Sequence, residues 1–373
     1  MRSLRDFALA FALLLIAAFF TLKVPGFGFI SPRNLSLLMI DFAITATLAV
    51  GMLLVILPGH IDLSAGSGVG LIGGISAVLM TNRGWHPASA MLAGVGAALL
   101  LWWAMGNLIV RQRIPAFIIT LGGLLVFKGL FWLVIGSHTI PISVGGAPNL
   151  YSSLTTYYLP PLAGWALAAL VVAALVAGAW RSRVQRIAHG FSVDDGESTF
   201  IRIFIAAQLI ALFVLITNQF RGVPLPAVIL GAVAFIVWLL TQHTPWGRHL
   251  YAIGGNEEAA LVSGVPVERV TVGAFTLMGA IVALTGLMQT AYGGASTTTV
   301  GELMELDAVA ACVIGGTSLK GGRGSVLGVL FGALIMACLI NGLTLMAVPP
   351  EIKFIARGGV LIAAVWMDVK LAR

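Results

Sequence analysis

Gly68-Val69-Gly70-Leu71-Ile72-Gly73 has the G-x-G-x-x-G spacing that lets a backbone approach a dinucleotide's pyrophosphate. That chemistry also needs a preceding strand and an acidic residue about 20 positions further on, to hold the ribose. Residues 86–100 contain no acid, and the glycines sit inside an apolar run, so the spacing builds no such site. Gly315-Gly316-Thr317-Ser318-Leu319-Lys320-Gly321-Gly322 has the composition of a phosphate loop. The pattern G-x-x-x-x-G-K-[ST] fails, because Gly321 is followed by Gly322 and not by Lys. The chain therefore lacks the nucleotide-hydrolysis element of an active pump. Any ATPase that powers it, with its ATP and Mg, is expected on another polypeptide, and no cofactor is expected on this one.

Asp41, Asp62, Glu302, Glu305 and Asp307 lie near apolar runs. An ionised Asp at the centre of a membrane helix costs about 2.5–3.5 kcal/mol on insertion scales, so such residues have a role or sit near the interface. Carriers driven by protons or sodium place carboxylates and bases deep in several segments. Here the acids read as close to segment ends, and most segments carry none. Asp41 and Asp62 are thus expected at the interface or as helix caps, with proton coupling as the rival. No two histidines fall at ligand spacing, so no metal site is expected. Loops that share one side offer no Ser/His/Asp or Cys/His arrangement, and the sequence does not look like that of an enzyme.

The remaining polar stretch is GRHLYAIGGNEEAALVSGVPVERV, residues 247–270, set between two apolar runs. Within it Glu258-Ala259-Ala260-Leu261-Val262-Ser263-Gly264 reads E-A-A-x-x-x-G. Glu257 to Val262 favour a short helix, which Gly264 and Pro266 then end. Its glutamates suit the positive end of the helix dipole, and its alanines permit close packing. Such a helix can seat in a groove on a cytoplasmic partner; the plainer reading is an amphipathic loop helix lying on the membrane.

The elements that must position these residues are membrane helices. Of 373 residues 59% are hydrophobic and only 9% charged, with mean hydropathy +1.02. Soluble domains run at roughly 25% charged residues, so this chain cannot cover a water-facing surface. The net charge of +7 is not a nucleic-acid patch. Its cations fall in short loops at alternate segment ends: Arg2/Arg5, Arg111/Arg113, Arg181/Arg183/Arg186, Arg248/Arg269, Lys320/Arg323 and Lys370/Arg373. That is the positive-inside pattern, and it puts both termini in the cytoplasm. The first apolar run has the look of a signal peptide but no clear cleavage site, so an uncleaved helix is expected. Cys312 and Cys338, each in an apolar run, make neither a disulfide framework nor a zinc spacing.

The apolar runs predict an all-α polytopic membrane protein forming one membrane domain over 1–373. Segments are expected at 7–22, 35–57, 64–81, 88–110, 114–135, 160–180, 201–217, 223–243, 270–291, 306–316, 324–347 and 353–370. Twelve is the upper count. The Gly-interrupted pieces near 58–66 and 306–324 are expected to be broken or re-entrant, which leaves about ten to twelve helices. Residues 136–159 and 181–200 read as loops on opposite sides, and 244–268 as a cytoplasmic segment. GHIDLSAGSGVG (59–70) and GGTSLKGGRGSV (315–326) align without gaps as an internal echo, pairing Gly59 with Gly315 and Gly66 with Gly322. Paired Gly-interrupted segments in two halves point to a transport pathway; helix contacts through small residues are the alternative. A simple span count makes the repeats parallel, whereas one broken helix makes them inverted.

With these residues in view, the chain resembles the permease subunits of bacterial ATP-binding-cassette sugar importers, in the ribose/xylose branch. Gly247, Leu250, Ala252, Ile253, Gly254, Gly255, Asn256, Ala259, Ala260 and Gly264 match the branch's coupling segment. Gly59, Ile61, Asp62, Leu63, Ser64 and Gly66 match a GGIDLS-G element, with His60 in place of its second glycine. ELDAVAACVIGGTSLKGGRGSVLG (305–328) matches the most distinctive stretch. Within the branch the likeness is strongest to D-xylose permeases, through residues 114–135, 149–161 and 341–358 and through the added segments around 150–220.

The resemblance implies import of a monosaccharide, D-xylose or a related pentose, across the bacterial inner membrane. It implies two permease copies or a related pair, two cytoplasmic ATPase subunits and a periplasmic sugar-binding protein. Coupling to the ATPase would fall to Gly254, Gly255, Asn256, Glu258, Ala259, Ala260 and Gly264. The pathway or its gate would draw on Gly59, Asp62, Ser64, Gly66, Glu305, Asp307, Gly315, Gly316 and Gly322.

Overall fold

The computed structural model describes residues 2–143, 146–193 and 196–371. Arg373, one of the cations of the charge pattern, and Asp194 and Asp195, in the expected 181–200 loop, lie outside them. The first half contains α1 (Arg2–Lys23), α2 (Pro32–Ile56), α3 (Ala65–Thr81), α4 (Pro87–Gln112), α5 (Ala116–Ile135) and the short α6 (Leu150–Thr156). A peripheral hairpin, α7 (Pro161–Ala188) and α8 (Gly196–Asn218), leads to α9 (Leu225–His243). The expected coupling segment forms α10 (Pro245–Gly255) and α11 (Glu257–Val262). The chain continues through α12 (Val267–Gly293), α13 (Met304–Ile314), α14 (Val326–Leu345) and α15 (Pro350–Leu371).

Eight of these helices are long and apolar enough to cross a membrane, and the shorter apolar α3 and an apolar stretch of α1 join them. Every expected segment is therefore a helix, most within a few residues of its expected ends. The exception is α7, which runs on past residue 180 and carries Arg181, Arg183 and Arg186 as an exposed helical extension. The expected 181–200 loop is thus largely helical, because Arg, Val, Gln and Ile continue a helix as readily as they form a loop.

Successive helices alternate in direction, so the connections gather at two ends of the bundle. The basic end holds Arg111 and Arg113, α10 and α11, and the connections after α2 and α13. The opposite end carries two small antiparallel pairings: β1 (Ile140–Pro141) with β4 (Ala295–Ser296), and β2 (Tyr158–Leu159) with β3 (Val223–Pro224). They tie residues 140–141 and 158–159 to segments far away in sequence.

The core is an inverted pair of four-helix units, α2–α5 and α12–α15. α2 packs on α13 and α14, as α12 packs on α3 and α4; α5 lies on α3, as α15 lies on α13. α2 and α12 run antiparallel, with Ile40 and Ile44 beside Met288, and Gly51 beside Met278 and Ile281. Of the two arrangements the sequence leaves open, parallel and inverted, the antiparallel α2 and α12 give the inverted one. The 59–70 and 315–326 echo does not mark equivalent positions of the repeat. Both stretches sit at the basic end and touch each other.

Candidate functional site

α11 is built as the sequence predicts and carries its own punctuation. The Asn256 side chain accepts a hydrogen bond from the Ala259 N–H at 2.9 Å and caps the helix start, with Glu257 and Glu258 in the first turn. At the other end Gly264 takes φ +82, its N–H donates to the Leu261 carbonyl and the Val265 N–H donates to that of Ala260. This paired closure on a left-handed glycine ends a helix sharply. Ala260 alone among the helix residues is buried, 5% exposed. Gly255, Asn256, Glu257, Glu258, Ala259 and Gly264 face outward, as do Leu261 and Val262 at 62% and 89% exposure. Two large aliphatic side chains thus stand open beside two carboxylates.

Two residues before the Asn256 cap, the segment locks into the bundle. A Cβ on Gly254 would strike the Leu57 carbonyl and the Gly321–Gly322 backbone. Those two loops are joined to each other, since the Gly322 N–H donates to the Leu57 carbonyl at 2.9 Å. Tyr251, one turn earlier on α10, donates its hydroxyl to the Gly324 carbonyl at 2.9 Å and accepts from the Gln242 amide at 2.7 Å. α10 therefore touches the end of α2 and the α13–α14 loop directly, by backbone at Gly254 and by the Tyr251 side chain.

The echo glycines explain why the two loops resemble each other. Gly59, at φ +91, closes α2: its N–H reaches the Ile56 carbonyl, and the His60 N–H reaches that of Val55. Gly316, at φ +87, closes α13 in the same way, through the Val313 carbonyl and a Thr317 N–H to Cys312 bond. The structural partner of Gly59 is thus Gly316, one residue along from the Gly315 that the ungapped alignment offers. Gly315 instead permits a close helix contact, because a Cβ there would enter the backbone of Gly328 on α14, and one on Gly332 would meet Ala311. Gly322 takes φ +72 in the loop itself. His60, the departure from the family element, follows the helix-ending glycine with its ring 6.1 Å from that of Phe275. Burial holds its imidazole below the usual pKa, partly opposed by the nearby Glu257 carboxylate.

Deeper in the bundle the starts of the two short helices meet. Asp62 is fully buried and satisfied on both oxygens. One accepts from the Ser64 hydroxyl at 2.6 Å and its N–H at 2.9 Å, and the other accepts from the Trp102 indole N–H at 2.6 Å. It therefore fixes the turn two residues ahead of α3, whose N-cap is Ser64, and ties that turn to α4; the interface or cap position expected for it is not what the structure shows. Gly66 opens room for the Glu305 carboxylate from the start of α13, and Gly301 lies against the Gly66 carbonyl. Two interrupted helices whose N-termini face each other inside the bundle follow from the inverted repeat. Asp41 differs from expectation: it lies well inside α2, next to Tyr292, and not at a segment end.

Residues 34–365 match the family described as branched-chain amino acid transport system / permease component. The chain belongs to this permease family. It is 38% identical to the xylose transport system permease protein of Escherichia coli strain K12, across 98% of this chain and 92% of that one. The corresponding protein of Haemophilus influenzae is 36% identical, over 98% and 96% of the two chains. The ribose import permease protein of Bacillus subtilis is 32% identical, over 92% and 87%. No solved structure matches the chain. The permease is a multi-pass transport subunit of the membrane and not an enzyme.

Further charges lie within the helices themselves. Asp307 on α13 pairs with Arg357 on α15 at 3.6 Å, which joins one short helix to its neighbour in the repeat. Lys128 sits within α5 with its ammonium 5.6 Å from the Trp132 ring. Sequence reasoning missed Lys128, Trp102, Tyr251, Gly321 and Arg357. The lone cation in an apolar 114–135 run was a legible signal for Lys128, but nothing in sequence marks which tryptophan reaches a buried carboxylate.

Proposed function

We propose that the permease carries D-xylose or a related pentose through the inner membrane as part of an ATP-driven importer. An ATPase subunit docks on α11 from the cytoplasm, and a sugar-binding protein delivers substrate at the opposite end. The observation that carries this reading is the pairing of an exposed, capped α11 with the Gly254 junction beneath it. A secondary carrier has no use for a docking helix keyed by backbone contact into two loops of the bundle. The positions of Arg111, Arg113, Arg248 and Arg269 near α10 and α11 support the cytoplasmic placement of that end, and with it cytoplasmic termini.

A second permease copy belongs to the same reading. α5 and α15, the last helices of the two repeat units, carry Lys128 and Arg357 within their lengths. Charges in membrane segments face a bundle interior or a watered cavity, and not lipid. A homodimer that closes these faces over a central cavity supplies that environment. Closure of the ATPases then moves α10 and α11, the Gly254 junction shifts the α2 and α13 ends, and the meeting point of α3 and α13 rearranges. Gly66, Ser64, Asp62 and Glu305 there are the gate, and Asp307 with Arg357 holds α13 against α15. The pentose assignment rests on the xylose and ribose permease relatives.

Uptake of labelled xylose tests the function in a strain without its own xylose importers, with the ATPase and binding protein supplied. Uptake should require the ATPase and survive discharge of the proton gradient. Uptake that persists without the ATPase and collapses with the proton gradient would make this a secondary carrier, with Asp41 and Asp62 as the acids to pursue.

A further inference from the structure

A cavity of about 700 Å3 opens at the basic end between the last turns of α4, the end of α9, the start of α10 and the first turns of α12. It is graded in chemistry along its length. Arg111 and Arg269 stand at the rim with Glu268, and Trp103 and Trp246 flank it. Val272 and Leu277 form its deeper wall. α4 and α12 run in opposite directions here, with Gly106 against Val272 and Phe275. Both arginines therefore lie at one end and the apolar residues beyond them. From Arg269 to Leu277 is eight residues, about 12 Å at the α-helical rise. That is the distance from a phosphate group into the upper acyl chains of a bilayer leaflet, and tryptophans settle at this depth.

Neither arginine, both exposed, has an ion pair among the described residues. With Glu268 the rim carries a net charge of +1, complementary to one phosphodiester. Basic pockets between membrane helices on the cytoplasmic side suit anionic headgroups. We infer that this cavity is a specific phospholipid site, with an anionic headgroup between Arg111 and Arg269 and an acyl chain laid along Trp103, Val272 and Leu277. The site borders α10, so a bound lipid would brace the helix that carries the coupling segment. It is independent of which sugar the permease moves.

Native mass spectrometry of the full-length permease in detergent, with dioleoyl-phosphatidylglycerol added, tests the site. One lipid per chain should persist in detergent that strips the rest. Arg111→Ala with Arg269→Ala should lower its occupancy by roughly tenfold or more. Thr276→Trp fills the cavity without touching its charge, and the Thr276 hydroxyl bonds only to the Val272 carbonyl of its own helix. It should expel the lipid equally, and it serves if the arginine variant does not fold. Equal retention by both variants would overturn the proposal. So would equal retention of phosphatidylethanolamine by the unaltered permease, or retention of inorganic phosphate in place of the lipid.

Discussion

Two helix pairs of the permease are assembled by opposite means. α13 and α14 meet at Gly315, Gly328 and Gly332, where a single Cβ would enter the neighbouring backbone. α7 and α8 meet through aliphatic side chains and otherwise present Leu170, Leu175, Phe204 and Leu209 outward. Only 6% of the most apolar stretch of α8 is buried, against 78% of that of α2. Lipid tails are as apolar as leucine, so burying leucine drives little association in a membrane, whereas small residues allow backbones to come together. The pair at the centre is therefore fixed by shape, and the hairpin at the edge is a lipid-facing attachment.

The sharpest break of this comparison comes from adding the same side chain to both regions. Gly315→Leu should destabilise the permease by about 3 kcal/mol or more, since backbone atoms cannot yield as side chains do. Gly178→Leu, on α7 with open space around it, should change stability by less than about 0.5 kcal/mol. Thermal unfolding in detergent separates the two; equal losses would remove the distinction.

Asp62→Ala should come next. It leaves the Trp102 indole and the Ser64 hydroxyl without their buried partner, and one such orphan costs about 1–3 kcal/mol. Asp62→Asn should restore part of the loss, because its carbonyl oxygen still accepts while its NH2 does not. An Asp62→Ala variant that melts with the unaltered permease would show that the α3 entry holds without that carboxylate.

A smaller effect is expected at Asp307 and Arg357, whose pair is partly exposed. Arg357→Gln should destabilise by about 1 kcal/mol, and Asp307→Asn added to it should give back part of that. Strict additivity in a double-mutant cycle would mean that the pair does not couple α13 to α15.

Much of this was legible from residues. The twelve apolar runs mark the apolar helices closely, eight of which are long enough to span, because a membrane leaves helices as nearly the only way to satisfy the backbone. Glu257, Glu258 and Gly264 spell the start and stop of α11 directly, while its Asn256 cap went unread. What the sequence hides is distance: Gly254 looks like any loop glycine until Leu57 and Gly322, far away in the chain, close on it. The Gly59 and Gly315 alignment misleads because helix-ending glycines and helix-contact glycines are the same letter. Only φ at Gly59 and Gly316, and the neighbours of Gly315, distinguish them. Asp62 read as an interface or cap residue, whereas it is buried in the turn before α3, and its partner Trp102 is set by packing alone.

The most direct test of the coupling account is capture of the ATPase subunit by the permease in membranes, for two altered forms. Glu258→Lys with Gly264→Glu reverses an outward charge and strains the left-handed end of α11, leaving the bundle contacts untouched, so the permease should reach the membrane but retain no ATPase. Gly254→Ala wedges the junction beneath an intact α11, so it should retain the ATPase while sugar uptake is lost. Undiminished capture by the Glu258 and Gly264 variant would contradict docking on α11, and normal uptake by Gly254→Ala would contradict transmission through its contacts with Leu57 and Gly322.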